Sequence, residues 1–248
     1  MTFQIQNPIQ EKIKSGSINA FVFDLDGVLI ESISGIVAST NYSLRSLSLP
    51  EREQSEIVRY IGCPLPNMFA EFAPGVDYAK IRPLFREKAM ETIVPGSNLL
   101  PHARQTLQRF KGAGHKAAIG STKIRAHIDG IMQKFSLGPL IDAIVGGDEA
   151  AAKPAPDIFL LAVERMGASV ESTLVIGDTI NDIQAAREAG MSVVTIESGF
   201  GDREALAKNP SDYHFSDLRQ FANFALDNPA INQSSAEKLA PEKQQLID

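Results

Sequence analysis

Ala20-Phe21-Val22-Phe23-Asp24-Leu25-Asp26-Gly27-Val28-Leu29 is the stretch whose reading decides the fold. Its first four residues are apolar, with the length and β-propensity of a buried strand, and the run stops at two aspartates one residue apart, followed by a glycine. Two carboxylates desolvated together repel each other. One of them must then take a raised pKa, unless a cation sits beside the pair. The stretch therefore reads in three ways: a metal site, an acid/base pair, or an Asp-x-Asp-Gly turn that caps the next helix. The rest of the chain has to choose among them.

Downstream, no strand pattern occurs between Ser32 and Thr92. Helical spacing of Ile36, Val37, Leu44 and Leu47 predicts a helix over 34–47, ended by Pro50. Further helices are predicted over 51–60, 67–72 and 78–91, separated by Gly62, Pro64 and Pro66 and by Pro74-Gly75. Val94-Pro95-Gly96 closes this all-helical block. Beyond it, strands are predicted over 116–119, 141–145, 173–176 and 193–196, with a short last one over 213–215. They alternate with helices over 101–111, 124–135, 157–166, 182–189 and 218–224. Such alternation implies βαβ units, and hence a parallel sheet covered on both faces. The fold class is α/β, a Rossmann-like doubly wound sheet with the helical block inserted after its first strand. This divides the chain into a leader (1–17), a core (18–31 and 96–224), the inserted block (32–95) and a polar tail (225–248) expected to be disordered.

Composition narrows the function. The 248 residues are 44% apolar and 22% charged, as in a soluble globular protein, and the net charge of −6 with no basic stripe argues against nucleic acid as a partner. No apolar run reaches membrane-spanning length, and the polar start, with Glu11, Lys12 and Lys14, lacks the apolar core of a secretory signal. A single cysteine, Cys63, forms no internal disulfide and fits a reducing cytoplasm, the expected location. It reads as a filler of the Gly62-Cys63-Pro64 turn. The four histidines, His102, His115, His127 and His214, show no ligand spacing and read as surface or packing residues.

The polar residues that remain fall at the carboxyl ends of strands: Asp24 and Asp26, Ser121, and Asp178. Ligands of open parallel sheets bind there. These strand ends resemble the haloacid dehalogenase superfamily of phosphotransferases over Ile18 to about Phe221. The first motif is Asp24-Leu25-Asp26-Gly27-Val28-Leu29, and the second Ile119-Gly120-Ser121-Thr122. The third places Lys153 in Ala152-Lys153-Pro154-Ala155-Pro156-Asp157, and the fourth is Gly177-Asp178-Thr179-Ile180-Asn181-Asp182.

The resemblance implies that Asp24 is the nucleophile of an aspartyl-phosphate mechanism and Asp26 the general acid and then base. It implies Mg²⁺ bound by Asp24, the main-chain carbonyl of Asp26 and Asp178, an oxygen-only set that suits a hard cation. Ser121 and Lys153 would hold the phosphate, Lys153 also neutralising charge, with Gly27 and Thr122 completing the phosphate-binding set. Asp182 would support the metal and Lys153, which is compatible with an acidic residue in the first turn of a helix.

The inserted helices are similar to the cap of the phosphoglycolate-phosphatase-like subfamily. Ile61-Gly62-Cys63-Pro64-Leu65 resembles its cap loop, and Phe85-Arg86-Glu87 part of its last cap helix. A helical cap implies a small substrate. The expected function is a Mg²⁺-dependent phosphatase of a small phosphorylated metabolite, phosphoglycolate first among the candidates. A β-phosphoglucomutase-type mutase and a catalytically silent binding protein are the alternatives. A phosphonatase lacks an acidic residue where Asp26 stands, and a haloacid dehalogenase has no need of it.

Overall fold

A computed structural model describes residues 8–197 and 203–226. A short helix, α1 (Pro8–Lys14), precedes strand β1 (Ala20–Phe23). Strand β2 (Ile30–Glu31) then leads into four helices: α2 (Ile33–Ser46), α3 (Gln54–Val58), α4 (Leu65–Phe72) and α5 (Tyr78–Gly96). Next come β3 (Asn98–Leu99), α6 (Ala103–Gly112), β4 (Lys116–Gly120), α7 (Arg125–Lys134), β5 (Ala143–Val145), α8 (Asp157–Met166) and β6 (Thr173–Gly177). The described chain closes with α9 (Ile180–Glu188), β7 (Ser192–Ile196), α10 (Arg203–Lys208), β8 (Tyr213–Phe215) and α11 (Leu218–Leu226).

Six of the strands form one parallel sheet in the order β5-β4-β1-β6-β7-β8. The chain adds strands to one side of β1, then returns and adds the rest to the other side. The order therefore reverses between β1 and β6, and that is where an open α/β sheet leaves a crevice at its carboxyl edge. Phe23 is level with both Ile119 of β4 and Ile176 of β6, so Asp24, Gly120 and Gly177 share the next row.

Side chains of the central strands alternate between two packed layers. Phe21, Phe23, Ile119 and Ile176 join Leu107 and Phe110 of α6, Ile128 of α7 and Phe221 of α11 on one face. Ala20, Val22, Ala118 and Val175 meet Ile158 and Phe159 of α8 and Ile183 of α9 on the other. Phe21 and Phe110 meet edge to face with centroids 4.4 Å apart. Each fully buried side chain of this size contributes about 1.5–3 kcal/mol. Burial on both faces explains why the strands read as continuous apolar runs.

Several elements differ from the sequence reading. The segment read as a leader includes α1, whose Ile9 and Ile13 are buried and whose Gln10 Nε2 donates to the Phe224 carbonyl of α11 at 2.8 Å. Two isoleucines in seven residues are too few to show a period. The antiparallel pair β2–β3 ties the entry of the helical block to its exit, with only two residues in each strand. Helix α5 runs through Pro95 to Gly96, and α9 begins at Ile180 rather than Asp182, because Thr179 caps it reciprocally with Asp182. The tail from 227 onward and residues 1–7 lie outside the described residues.

Within the helical block α2 packs along α5, and Gly35 is where their backbones come closest. A Cβ there would lie 2.7 Å from the Thr92 carbonyl oxygen and 2.8 Å from Ile93 Cα, both backbone atoms. Ser39 Oγ donates to the Gly35 carbonyl at 2.7 Å and Thr92 Oγ1 at 3.2 Å, which holds the crossing in register. Gly35→Ala is expected to destabilise the protein by about 1–3 kcal/mol through overpacking, measured by urea unfolding. On α7, His127 is buried and, first through burial and then through the Lys123 charge, its imidazole is pushed down to about 4. An unfolded histidine titrates near its ordinary value of about 6.5, so the unfolded state binds more protons between pH 4 and 6.5. The resulting penalty is absent above pH 6.5 and grows as pH falls. The stability that wild type loses between pH 7 and 4.5 should shrink by about 2 kcal/mol in His127→Phe, read as the difference between the two pH profiles.

Candidate active site

The site residues gather at the carboxyl ends of the central strands. Asp24 leaves β1, Ser121 leaves β4 and Asp178 leaves β6, and all three are buried. Lys153 comes from the loop before α8, and at 2% exposure it is as buried as the core phenylalanines around it. A lysine is desolvated this far only when partners satisfy its charge. Its Nζ donates to Asp24 Oδ1 at 2.7 Å and to Asp182 Oδ1 at 2.6 Å, and lies 4.6 Å from the centroid of the Phe159 ring.

Asp182 is fixed from its other side as well. Its Oδ2 accepts from Thr179 Oγ1 at 2.7 Å, from the Thr179 amide at 3.1 Å and from the Asp178 amide at 3.3 Å. The carboxylate folds back so closely that a Cβ on Gly177 would come within 2.3 Å of Asp182 Cβ, so only glycine fits at the end of β6. Asp182 is thus both the cap of α9 and the anchor of Lys153.

The electrostatics follow from this geometry. Burial pushes the Asp24 carboxyl up to about 7; Lys153 opposes the rise and Asp182 adds to it. Burial also works against ionised Asp182, but Lys153 and the Thr179 donors outweigh it and hold that carboxyl below its usual range. For Lys153, burial disfavours the cation, yet the two carboxylates outweigh it and raise the ammonium above its ordinary value.

Asp24, Asp178 and Asp182 each offer a carboxylate oxygen, and these oxygens lie within 4.8 Å of one another. Lys153 engages two of these three buried carboxylates, taking one oxygen of Asp24 and one of Asp182. The donor set is three carboxylates, all oxygen, gathered in one place, which fits a small divalent cation. Asp182, committed to Lys153 and the α9 terminus, positions the set; Asp24 and Asp178 are the carboxylates suited to hold an ion.

Asp26 sits at the rim. Ser32 Oγ donates to its Oδ1 at 2.5 Å and Lys123 Nζ pairs with its Oδ2 at 3.1 Å. Lys123 Nζ also donates to Ser32 Oγ at 3.2 Å. Sequence reasoning did not single out Lys123 or Ser32. Lys123 stands directly after Ser121-Thr122, which was the available signal, whereas only the fold brings residue 32 to it. Gly27 turns the chain with φ +82°, and its amide donates to the Ile30 carbonyl at 2.8 Å. Ser121 Oγ accepts from the Lys123 amide at 3.2 Å.

A cleft of about 450 Å³ opens between the strand ends and the helical block. Asp26, Thr122 and Lys123 line its sheet side, and Ile61, Leu65 and Phe85 its helical side; Asp24 and Lys153 are not among its walls. The helical block touches the fourth motif directly, for Asn181 Nδ2 donates to the Gly62 carbonyl at 3.2 Å and lies 3.6 Å from Cys63 Sγ. Cys63 is half-buried, and burial pushes its thiol up. Among the described residues no helix is long and apolar enough to cross a membrane.

The arrangement agrees with the chain's relationships. The sequence pattern of the haloacid dehalogenase-like hydrolases matches residues 21–196. A protein named "Probable phosphatase IndB", from Dickeya dadantii, is 31% identical over 194 residues, covering 75% of this chain and 84% of its own. A phosphoglycolate phosphatase of Salmonella paratyphi A is 27% identical over 233 residues, covering 83% and 92%. The crystal structure of a haloacid dehalogenase-like hydrolase from Bacteroides fragilis superposes with a TM-score of 0.78 at 28% identity, over 82% of this chain and 99% of that one. With the family pattern spanning all four strand-end motifs and a relative above 30% identity, this chain belongs to the haloacid dehalogenase-like hydrolase family.

Proposed function

We propose that the protein is a Mg²⁺-dependent phosphatase that hydrolyses a small phosphomonoester through an aspartyl-phosphate on Asp24. The observation that carries this reading is the buried Lys153, which bridges Asp24 and Asp182 at the point where the sheet order reverses. Mg²⁺ held by Asp24, the Asp26 carbonyl and Asp178 would supply positive charge against the phosphoryl oxygens.

The chain's own groups perform the steps. The Asp24 carboxylate attacks phosphorus, and the bond from phosphorus to the alcohol oxygen breaks. Asp26 gives its proton to that oxygen as it leaves. Water then attacks the acyl phosphate while Asp26 takes a proton from it, which releases phosphate and restores Asp24. Lys153 holds Asp24 in place, and Ser121, Thr122 and the backbone at Gly27 are suited to cradle phosphate oxygens at the same strand ends. Both Asp26 oxygens are engaged by Ser32 and Lys123, so turning toward a leaving oxygen exchanges those bonds. Residues 32–95 act as a cap over a core formed by the rest of the described chain. The cap keeps bulk water and polymers from the cleft. Phosphoglycolate is the first substrate to try, on the strength of the similarity to phosphoglycolate phosphatases.

Two variants separate the roles. Asp24→Asn should lose phosphate release from p-nitrophenyl phosphate in Mg²⁺ to background, and retained turnover would remove Asp24 as the nucleophile. Asp26→Asn should lose about 100- to 10,000-fold in kcat with an alkyl phosphate, whose alcohol needs a proton to depart, and much less with p-nitrophenyl phosphate. Equal losses on the two esters would place the acid elsewhere.

A further inference from the structure

The wall of the cleft opposite the strand-end motifs carries two arginines that no ion pair engages among the described residues. Tyr78, Arg82 and Arg86 recur at four-residue spacing along α5 and all line the cleft, so one helix face supplies two guanidinium groups. The acidic groups of the cleft are already taken, Asp26 by Lys123 and Ser32, and Asp148 by the Arg125 amide at 2.8 Å.

Helix α7, which packs against α5, adds His127 to the same cleft. The side chain is 6% exposed, and its Nε2 is buried with no hydrogen-bond partner among the described residues. A buried polar atom left unpaired is costly and calls for a reason. Burial and the neighbouring cations, Lys123 before Arg86, keep the ring neutral at physiological pH, so it has one N–H to give. A guanidinium offering parallel donors, together with a neutral imidazole donor, forms a complementary pair for a carboxylate. Apolar neighbours such as Ile36 and Phe85 strengthen such contacts by keeping the local dielectric low.

We propose that Arg86 and His127 form a subsite for a carboxylate on the alcohol portion of the phosphomonoester, so that the enzyme selects phosphorylated hydroxy acids over uncharged phosphate esters. This inference rests on the phosphatase reading above. In it Arg86 supplies the charge and His127 a directional hydrogen bond, and neither takes part in the chemical step.

Phosphoglycolate and ethyl phosphate test it, because they differ only in a carboxylate replacing a methyl group. The readout is the ratio of their kcat/KM values in Mg²⁺, which cancels any partial loss of folded protein. Wild type should favour phosphoglycolate by at least about thirtyfold; Arg86→Met should lower the ratio about tenfold or more, with part restored in Arg86→Lys, and His127→Phe should lower it about threefold. A wild-type ratio near one, or a ratio unchanged in both Arg86→Met and His127→Phe, would overturn the subsite. If wild type hydrolyses neither ester, turnover of p-nitrophenyl phosphate decides the phosphatase reading, and calorimetric binding of phosphoglycolate decides the subsite separately. Binding weaker by about tenfold in Arg86→Met supports it, and equal binding in the two proteins refutes it.

Discussion

Lys153 is the group on which the rest of the structure depends. One ammonium, stripped of water, is shared by Asp24 and Asp182, while Asp178 lies within reach of both. Removing Lys153 leaves two buried carboxylates without their cation, a loss that typically costs about 3–5 kcal/mol. The cluster also ties together distant parts of the chain, since its members come from the end of β1, the loop before α8, the end of β6 and the first turn of α9. Folding of the parallel sheet and assembly of the site are therefore one event. Gly177 shows how tight the fit is, because no side chain larger than hydrogen leaves room for Asp182 beside it.

The sheet decides where this cluster falls, and the helical block faces the strand ends across the cleft. Strand order reverses between β1 and β6, so the two aspartates at their ends border the crevice that the topology leaves open. The block enters and leaves through the β2–β3 pair, a narrow connection that sets it above the strand ends. Its loop meets the fourth motif through Asn181 and Gly62, and its last helix brings Arg82 and Arg86 to the cleft. One side of the cleft carries the polar groups of the strand ends, and the other carries cations set among apolar residues.

Much of this was legible in the sequence, for physical reasons. Strands buried on both faces leave continuous apolar runs, and Asp24, Ser121 and Asp178 stand where those runs stop. The helix from Asp157 to Met166 could be read to its exact ends, because a proline precedes it and a glycine follows. Short or long-range features escaped. The β2–β3 pair has too few residues to display alternation, and α1 too few to display a helical face. The contact of Asp26 with Lys123 joins residues far apart in the chain, and nothing local to either announces it. His127 read as a surface or packing histidine, since only its surroundings reveal an imidazole nitrogen left without a partner among the described residues. Asp182 read as an acidic residue in the first turn of a helix, and its capping of Thr179 was not legible; in the structure one of its oxygens caps α9 and the other accepts from Lys153.

The central claim is that Asp24 and Asp178, gathered beside Asp182 at the strand ends, hold a divalent cation. Calorimetric titration of the protein with Mg²⁺ at pH 8 tests this without any substrate. The account predicts a single Mg²⁺ site per chain, weakened about tenfold or more in Asp178→Asn. Unaltered Mg²⁺ binding by that variant, or no binding by the wild-type protein, would contradict it.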